Sequence, residues 1–336
     1  MSLQLVGERH RDAFQDNDGR SDRKRPTLSL VVPVKDEEQA IRPFLARTTP
    51  ILDRLPGIDS WEIIFIDDGS TDSTLPQLIL ASHGDERIKI LSLSRNFGKE
   101  AALSAGLDHA TGAAVVPIDV DMQDPPEAII DLVARWQEGF EVVYGIRNDR
   151  FTDSHAKRVT STLFYKLHNL ISEDQIPEHA GDFRLLDRSV VDVIKQLPER
   201  NRFMKGIFAW SGFRQSSISY ARQKRIVGKT KYSYLKLLRL AIDGITSSST
   251  VPLRIWSYIG GVIAIFAFLY AAFIIIDTMI FGPSVNGYPS IITAIMFFGG
   301  IQLISLGVLG EYVGRILIET KQRPLYVLRT SVGIEK

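Results

Sequence analysis

A mostly parallel α/β sheet followed by two membrane-length helices is the architecture that this sequence predicts. Three observations carry the prediction. Short apolar, β-rich runs alternate with helical stretches through residues 28–144. Polar clusters follow the apolar runs at 35–37, 67–68, 94–96 and 119–124, and in such sheets ligands bind at the carboxyl ends of the strands. Two long uncharged apolar runs then lie near the C-terminus.

The elements read in order as follows. Residues 28–34 are a strand running into Lys35-Asp36-Glu37, and an amphipathic segment extends from there to about residue 55. A second strand, 62–66, runs into Asp67-Asp68-Gly69-Ser70, with a helix over 71–82. Residues 88–93 are a third strand, and 98–109 a small-residue-rich helix. A fourth strand, 113–118, ends at Asp119, followed by a helix over 125–137 and a strand over 141–144.

The apolar runs are 255–276 and 291–310. At 1.5 Å per residue the first spans roughly 33 Å, against a hydrocarbon core of roughly 30 Å. The turn-rich connection 277–289 has no Lys or Arg, whereas basic residues crowd the chain before the first run and after the second. The positive-inside rule therefore predicts both flanks, and the sheet domain, on the cytoplasmic side.

Bulk charge selects no partner, with 40 Lys+Arg against 39 Asp+Glu. The absence of cysteine excludes disulfides, thiolate metal sites and cysteine nucleophiles. Residues 1–25 are polar, with neither a signal-peptide nor an anchor pattern, and are expected to be a disordered tail. The expected division is a tail (1–25), a catalytic domain (26–220), a basic juxtamembrane segment (221–252), a two-helix membrane region (253–318) and a cytoplasmic C-terminal tail (319–336). Segments 157–171 and 232–245 mix basic and apolar residues in the manner of interfacial helices.

The strongest chemical signal is Asp119-Val120-Asp121-Met122-Gln123-Asp124-Pro125-Pro126-Glu127. If this segment is extended, Asp119, Asp121 and Gln123 share one face. They would present hard oxygen ligands suited to Mg²⁺ or Mn²⁺, and such an ion would stabilise a departing diphosphate. A solvated acidic turn before a helix is the plain alternative. In Asp67-Asp68-Gly69-Ser70-Thr71-Asp72, helix capping explains the hydroxyls but not Asp68, which is suited to accept hydrogen bonds from a base or ribose. The six histidines have no ligand spacing.

These motifs resemble family-2 glycosyltransferases with a GT-A fold. The closest likeness is to the polyprenyl-phosphate branch, comprising bactoprenol glucosyltransferases and relatives of dolichyl-phosphate mannose synthase. The matching stretches include Val31–Glu37, Asp67–Thr71, Ser94-Arg95-Asn96-Phe97-Gly98-Lys99, Asp119–Glu127, Gly181–Arg188, Arg202–Gly206, Gly228–Tyr232 and Gly310–Arg315. The resemblance implies that Pro33, Asp36, Glu37 and Asp68 line the nucleotide pocket. It implies that Asp119, Asp121 and Gln123 hold the metal and diphosphate, and that Asp182 lies beside the reacting centre. Arg147, Ser161, Arg225 and Lys231 would surround the phosphates.

The implied reaction is inverting transfer of a hexose, glucose from UDP-glucose first, to undecaprenyl or another polyprenyl phosphate at the bacterial inner membrane. The lipid bilayer is then a partner, a homo-oligomer is compatible, and no nucleic acid is involved. A processive polysaccharide synthase is disfavoured because no Gln-x-x-Arg-Trp motif is present. A catalytically inactive membrane scaffold is disfavoured because Asp68, Asp119, Asp121 and Asp182 are all there.

Overall fold

The computed structural model describes residues 28–147, 180–200, 202, 204–221, 223, 251–281 and 287–334. The tail 1–25 and the segments 157–171 and 232–245 lie outside the described residues, as does nearly all of the juxtamembrane stretch.

The strands are β1 (Leu28–Val34), β2 (Trp61–Asp67), β3 (Ile88–Leu93), β4 (Ala114–Pro117), β5 (Val142–Arg147), β6 (Ala180–Asp187), β7 (Gln215–Tyr220) and β8 (Leu328–Val332). They form one sheet in the order β7-β5-β6-β4-β1-β2-β3-β8. Strands β4, β1, β2 and β3 run parallel. Their side chains are buried on both faces, hence the near-continuous apolar runs of Leu28–Val34 and Trp61–Asp67. The sheet is mostly parallel as expected, and mixed because β6 enters antiparallel between β4 and β5 and β8 joins antiparallel at the β3 edge.

Helices α1 (Ile41–Leu52), α2 (Thr74–Gly84), α3 (Lys99–His109) and α4 (Ala128–Gln137) follow the parallel strands, and α5 (Arg188–Gln196) and α6 (Met204–Trp210) follow β6. Helix α3 comes close to the sheet at Gly106. A Cβ on Gly106 would stand 2.2 Å from a Val31 methyl and 2.8 Å from an Ile66 methyl. Helices α1, α2 and α4 start later than the sequence pattern suggests. Residues 37–38 and 72–74 bond to one another, and Pro125-Pro126 form a turn capped by the Ala128 and Ile129 N–H groups.

A buried carboxylate ties the opposite end of the sheet. Glu62 is 1% exposed. It accepts from the Ser29 hydroxyl at 2.5 Å and the Thr111 N–H at 2.8 Å, and pairs with Lys89 at 2.6 Å.

Both long apolar runs fall in long helices, α7 (Val251–Phe281) and α8 (Tyr288–Thr320). Among the described residues, Phe297–Thr320 is long and apolar enough to cross a membrane by length and composition. After α8 the chain does not trail away as the expected tail. It returns to the sheet as β8, with the Ser94 N–H on the Val327 carbonyl and the Tyr326 hydroxyl on Asp108. The free edge of β3 supplied unpaired backbone groups that this segment satisfies.

Candidate active site

Because β1 to β4 are parallel, the segments that follow them meet along one edge of the sheet. The first two are stitched together. The Asp36 N–H donates to the Ser70 hydroxyl at 2.9 Å, and the Thr71 N–H donates to the Asp36 carboxylate at 2.8 Å. Lys35 pairs with the other Asp36 oxygen at 3.1 Å. These contacts hold Asp36 at φ 51°, a left-handed conformation that a non-glycine residue adopts at some cost. The Thr71 N–H, opposed by burial and aided by Lys35, keeps the Asp36 carboxyl below its usual range. The Glu37 N–H donates to the Thr74 hydroxyl. Pro33 lies just beyond the last β1–β4 pair, Val31 with Pro117, where its missing N–H leaves no gap in that ladder.

The two acids ending β2 have separate tasks. Asp67 is internal, accepting from the Ser70 N–H and the Ser92 hydroxyl, both at 3.0 Å. Asp68 is 5% exposed and reaches the third loop. Its two oxygens accept the Phe97 and Gly98 N–H groups at 2.7 and 3.0 Å. Burial pushes its carboxyl up in spite of them. Gly69, at φ 65°, lets the loops close: a Cβ there would meet the Arg95 and Asn96 backbone at 2.6 and 2.7 Å.

That third loop delivers Lys99, the first residue of α3, to the floor of the cleft. Its ammonium lies 2.7 and 2.9 Å from the two oxygens of Asp119 and 3.0 Å from Asp182. Topology explains the meeting. In the antiparallel β4–β6 pair, Ala114 faces Asp187 and Val115 faces Leu186, and continuing that register brings Asp119 level with Asp182. Burial works against the charge on Lys99, but the two carboxylates outweigh it and hold the ammonium well above the ordinary lysine range. Desolvation, then the charges of Asp182 and Asp121, push the Asp119 carboxyl up against the pull of Lys99. Lys99, Asp119 and Asp182, with Asp124 and Phe183, line one small pocket.

The acidic segment itself differs from the extended chain expected. It turns at residues 120–121, Met122 takes φ 54°, and the Gln123 N–H folds back onto an Asp121 oxygen at 3.1 Å. Strand alternation therefore does not set the direction of Asp119, Asp121 and Gln123. The turn is braced from outside: the Tyr220 hydroxyl donates to Asp124, and the Gln223 N–H donates to the Gln123 carbonyl at 3.0 Å. Arg47 donates to both oxygens of Glu127 and to the Gln223 side chain.

Of the residues expected at the site, Pro33, Asp36, Glu37, Asp68, Asp119, Asp121, Gln123 and Asp182 lie on or beside this sheet edge. Arg147 ends β5, opposite Tyr220 in the parallel ladder. Ser161, Arg225 and Lys231 lie outside the described residues. Sequence reasoning assigned no role to Lys99, Arg47 or Tyr220. Beyond its place in the matching stretch Ser94–Lys99, Lys99 carried a physical signal: a lysine opening a helix opposes the helix dipole, so something outside the helix must favour it. Arg184, Asp187 and Arg188 make structural contacts. Arg184 bonds the Gly181 carbonyl and stacks on Phe208, Asp187 caps α5, and Arg188 holds the Gly112 carbonyl.

Residues 29–195 match the model of glycosyl transferase family 2. A prophage bactoprenol glucosyl transferase homolog of Escherichia coli is 53% identical over 90% of this chain and 98% of its own length. The chain belongs to glycosyltransferase family 2. The sheet domain of this glycosyltransferase is a GT-A fold, and the cleft above is the candidate active site of an enzyme. A bactoprenol glucosyl transferase of Shigella phage SfII is 52% identical over 90% of this chain and 98% of its own. An uncharacterized glycosyltransferase of Synechocystis sp. is 49% identical over 92% and 96%. Residues 251–316 of the glycosyltransferase match a second family, described as the GtrB C-terminal hairpin, which takes in α7 and most of α8.

Proposed function

We propose that this glycosyltransferase moves a hexose, glucose from UDP-glucose, onto a polyprenyl phosphate at the cytoplasmic face of the bacterial inner membrane, with inversion at the anomeric carbon. The observation that carries the lipid acceptor is the path of the chain: it leaves the catalytic sheet after β7, forms two long apolar helices and returns as β8. Departure and return lie in one sheet, so the number of membrane crossings between them is even. If α8 crosses, α7 crosses too. Large apolar side chains exposed on both helices, Phe266 and Leu269 on α7 and Leu303 and Ile316 on α8 among them, support burial in lipid. The relatives named bactoprenol glucosyl transferase align over nearly their whole length, which favours glucose and that class of acceptor.

The residues divide as follows. Asp36, Glu37 and Asp68, with Pro33, form the base-and-ribose side, where Asp68 also fixes the loop that carries Lys99. Asp119, Asp121 and Gln123 are the residues that would hold Mg²⁺ or Mn²⁺. Their all-oxygen chemistry fits such an ion, and among the described residues no three acidic or histidine side chains are grouped to hold one unaided, so the donor diphosphate would complete the shell. The bound ion would offset charge on the leaving diphosphate.

The acceptor needs no strong base. A phosphate monoester has a second pKa near ~6 and arrives largely ionised. Its oxygen forms the bond to the anomeric carbon as the bond to the diphosphate oxygen breaks, and the nucleoside diphosphate leaves. Asp182, level with Asp119, orients the sugar or acceptor in that displacement. Arg147, Ser161, Arg225 and Lys231 are assigned to the phosphates.

Purified enzyme with undecaprenyl phosphate and radiolabelled UDP-glucose tests the reading. Label should enter the lipid extract and stop doing so in EDTA or in Asp121→Asn. Transfer only from another nucleotide-sugar would overturn the choice of glucose. No lipid-linked label with any donor would overturn the acceptor.

A further inference from the structure

The Lys99 ammonium contacts both oxygens of Asp119 and one oxygen of Asp182. It stands where a cation of the site would stand. A divalent ion ligated by Asp119 needs oxygens at about 2.0–2.1 Å, and both oxygens of that residue are engaged by the ammonium at 2.7 and 2.9 Å. The full lysine contact and full metal ligation at Asp119 exclude each other. The position is built rather than incidental. Lys99 opens α3 against the helix dipole, and the loop preceding it is anchored by the Asp68 carboxylate through Phe97 and Gly98.

We propose that Lys99 is the resident cation of the Asp119–Asp182 cleft, withholding Asp119 from a divalent metal until a nucleoside diphosphate arrives. The diphosphate adds negative charge, so the cleft then accommodates both cations: the metal takes Asp119, and the ammonium stays on Asp182 or turns to a phosphate oxygen. Metal and nucleotide accordingly bind together rather than separately. The inference rests on the metal reading proposed above and adds an order to it.

The test is a Mn²⁺ titration of the full chain in detergent micelles, following the paramagnetic resonance signal of the free ion, with and without UDP. Wild-type protein should bind Mn²⁺ weakly alone and much more tightly with UDP. Lys99→Met and Lys99→Gln should bind Mn²⁺ alone at least about tenfold more tightly than wild type, because a unit positive charge has left the cleft. Their gain from UDP should shrink, and Lys99→Arg should behave as wild type. Neutral variants that bind Mn²⁺ no more tightly than wild type would overturn the proposal. Should neither neutral variant fold, wild-type protein alone decides: Mn²⁺ affinity indifferent to UDP overturns it. Asp119→Asn separates the two readings. If that variant loses Mn²⁺ while the lysine variants gain nothing, only the role of Lys99 fails. If it binds Mn²⁺ as wild type does, the metal reading fails and this proposal with it.

Discussion

Arg47 grips Glu127 with two nitrogens, at 2.8 and 2.9 Å, and a third reaches Gln223 at 2.8 Å. One side chain on α1 thereby joins the end of the acidic turn to the chain that follows β7. Arg47→Met should leave stability within about 1 kcal/mol of wild type, since both partners are partly exposed. Its effect on turnover should be larger, about tenfold, because the turn that bears Asp121 and Gln123 loses its brace. Thermal unfolding and initial rates measured side by side check this, and a parallel fall in both would make Arg47 merely structural.

Asp68 holds the third loop, and the nucleotide role proposed for it is separable from that one by experiment. Asp68→Ala should weaken UDP binding about tenfold or more, the worth of a charge-assisted hydrogen bond. It should also free the Phe97 and Gly98 amides to exchange with solvent, because their acceptor has gone. Calorimetry with UDP and hydrogen exchange of those amides are the measurements. Unchanged exchange would show that the loop is held by other contacts.

Stability should depend on acid through Glu62. Burial opposes its charge, but Lys89, Ser29 and the Thr111 N–H outweigh burial and hold its carboxyl below the ordinary glutamate range. The folded pKa is thus lower than the unfolded one, near ~4.3. The stabilisation is complete above that value and is lost as pH falls through the folded value. Glu62→Gln should therefore be less stable than wild type at neutral pH, and the gap should narrow below about pH 4. Lys89→Met should cost about 3 kcal/mol at neutral pH by leaving the buried carboxylate uncompensated. Denaturant unfolding across pH measures both, and a gap indifferent to pH would contradict the assignment.

The C-terminal strand should be required for a sound catalytic domain. Removing residues 322–336 deletes β8 and uncovers the edge of β3. It also removes the Val327 carbonyl that holds Ser94, at the head of the loop leading to Lys99. The truncated protein should melt at a lower temperature, aggregate more readily through the exposed edge, and lose transfer activity. Thermal scans with light scattering, alongside the lipid transfer assay, test this. A truncated enzyme with full activity and an unchanged melting temperature would show β8 to be dispensable.

Much was legible in the sequence because local pattern reports local environment. The runs at 28–34 and 88–93 match β1 and β3, since a strand buried on both faces is largely apolar. The acids at 67–68 and 119 mark strand ends, and the uncharged runs mark α7 and α8. Tertiary structure alone decided which segments became neighbours. Nothing local says that β6 enters between β4 and β5, yet that antiparallel register brings Asp182 level with Asp119. Nothing local assigns Lys99 to both carboxylates, or folds an expected tail into the sheet as β8. The acidic turn shows the same limit on a smaller scale. Alternation assumes an extended chain, whereas braces from Tyr220, Gln223 and Arg47, all distant in sequence, accompany a turn with Met122 left-handed. Period and polarity record which face of a segment is buried. Which partner buries it depends on the edges and unpaired groups that the rest of the chain leaves open.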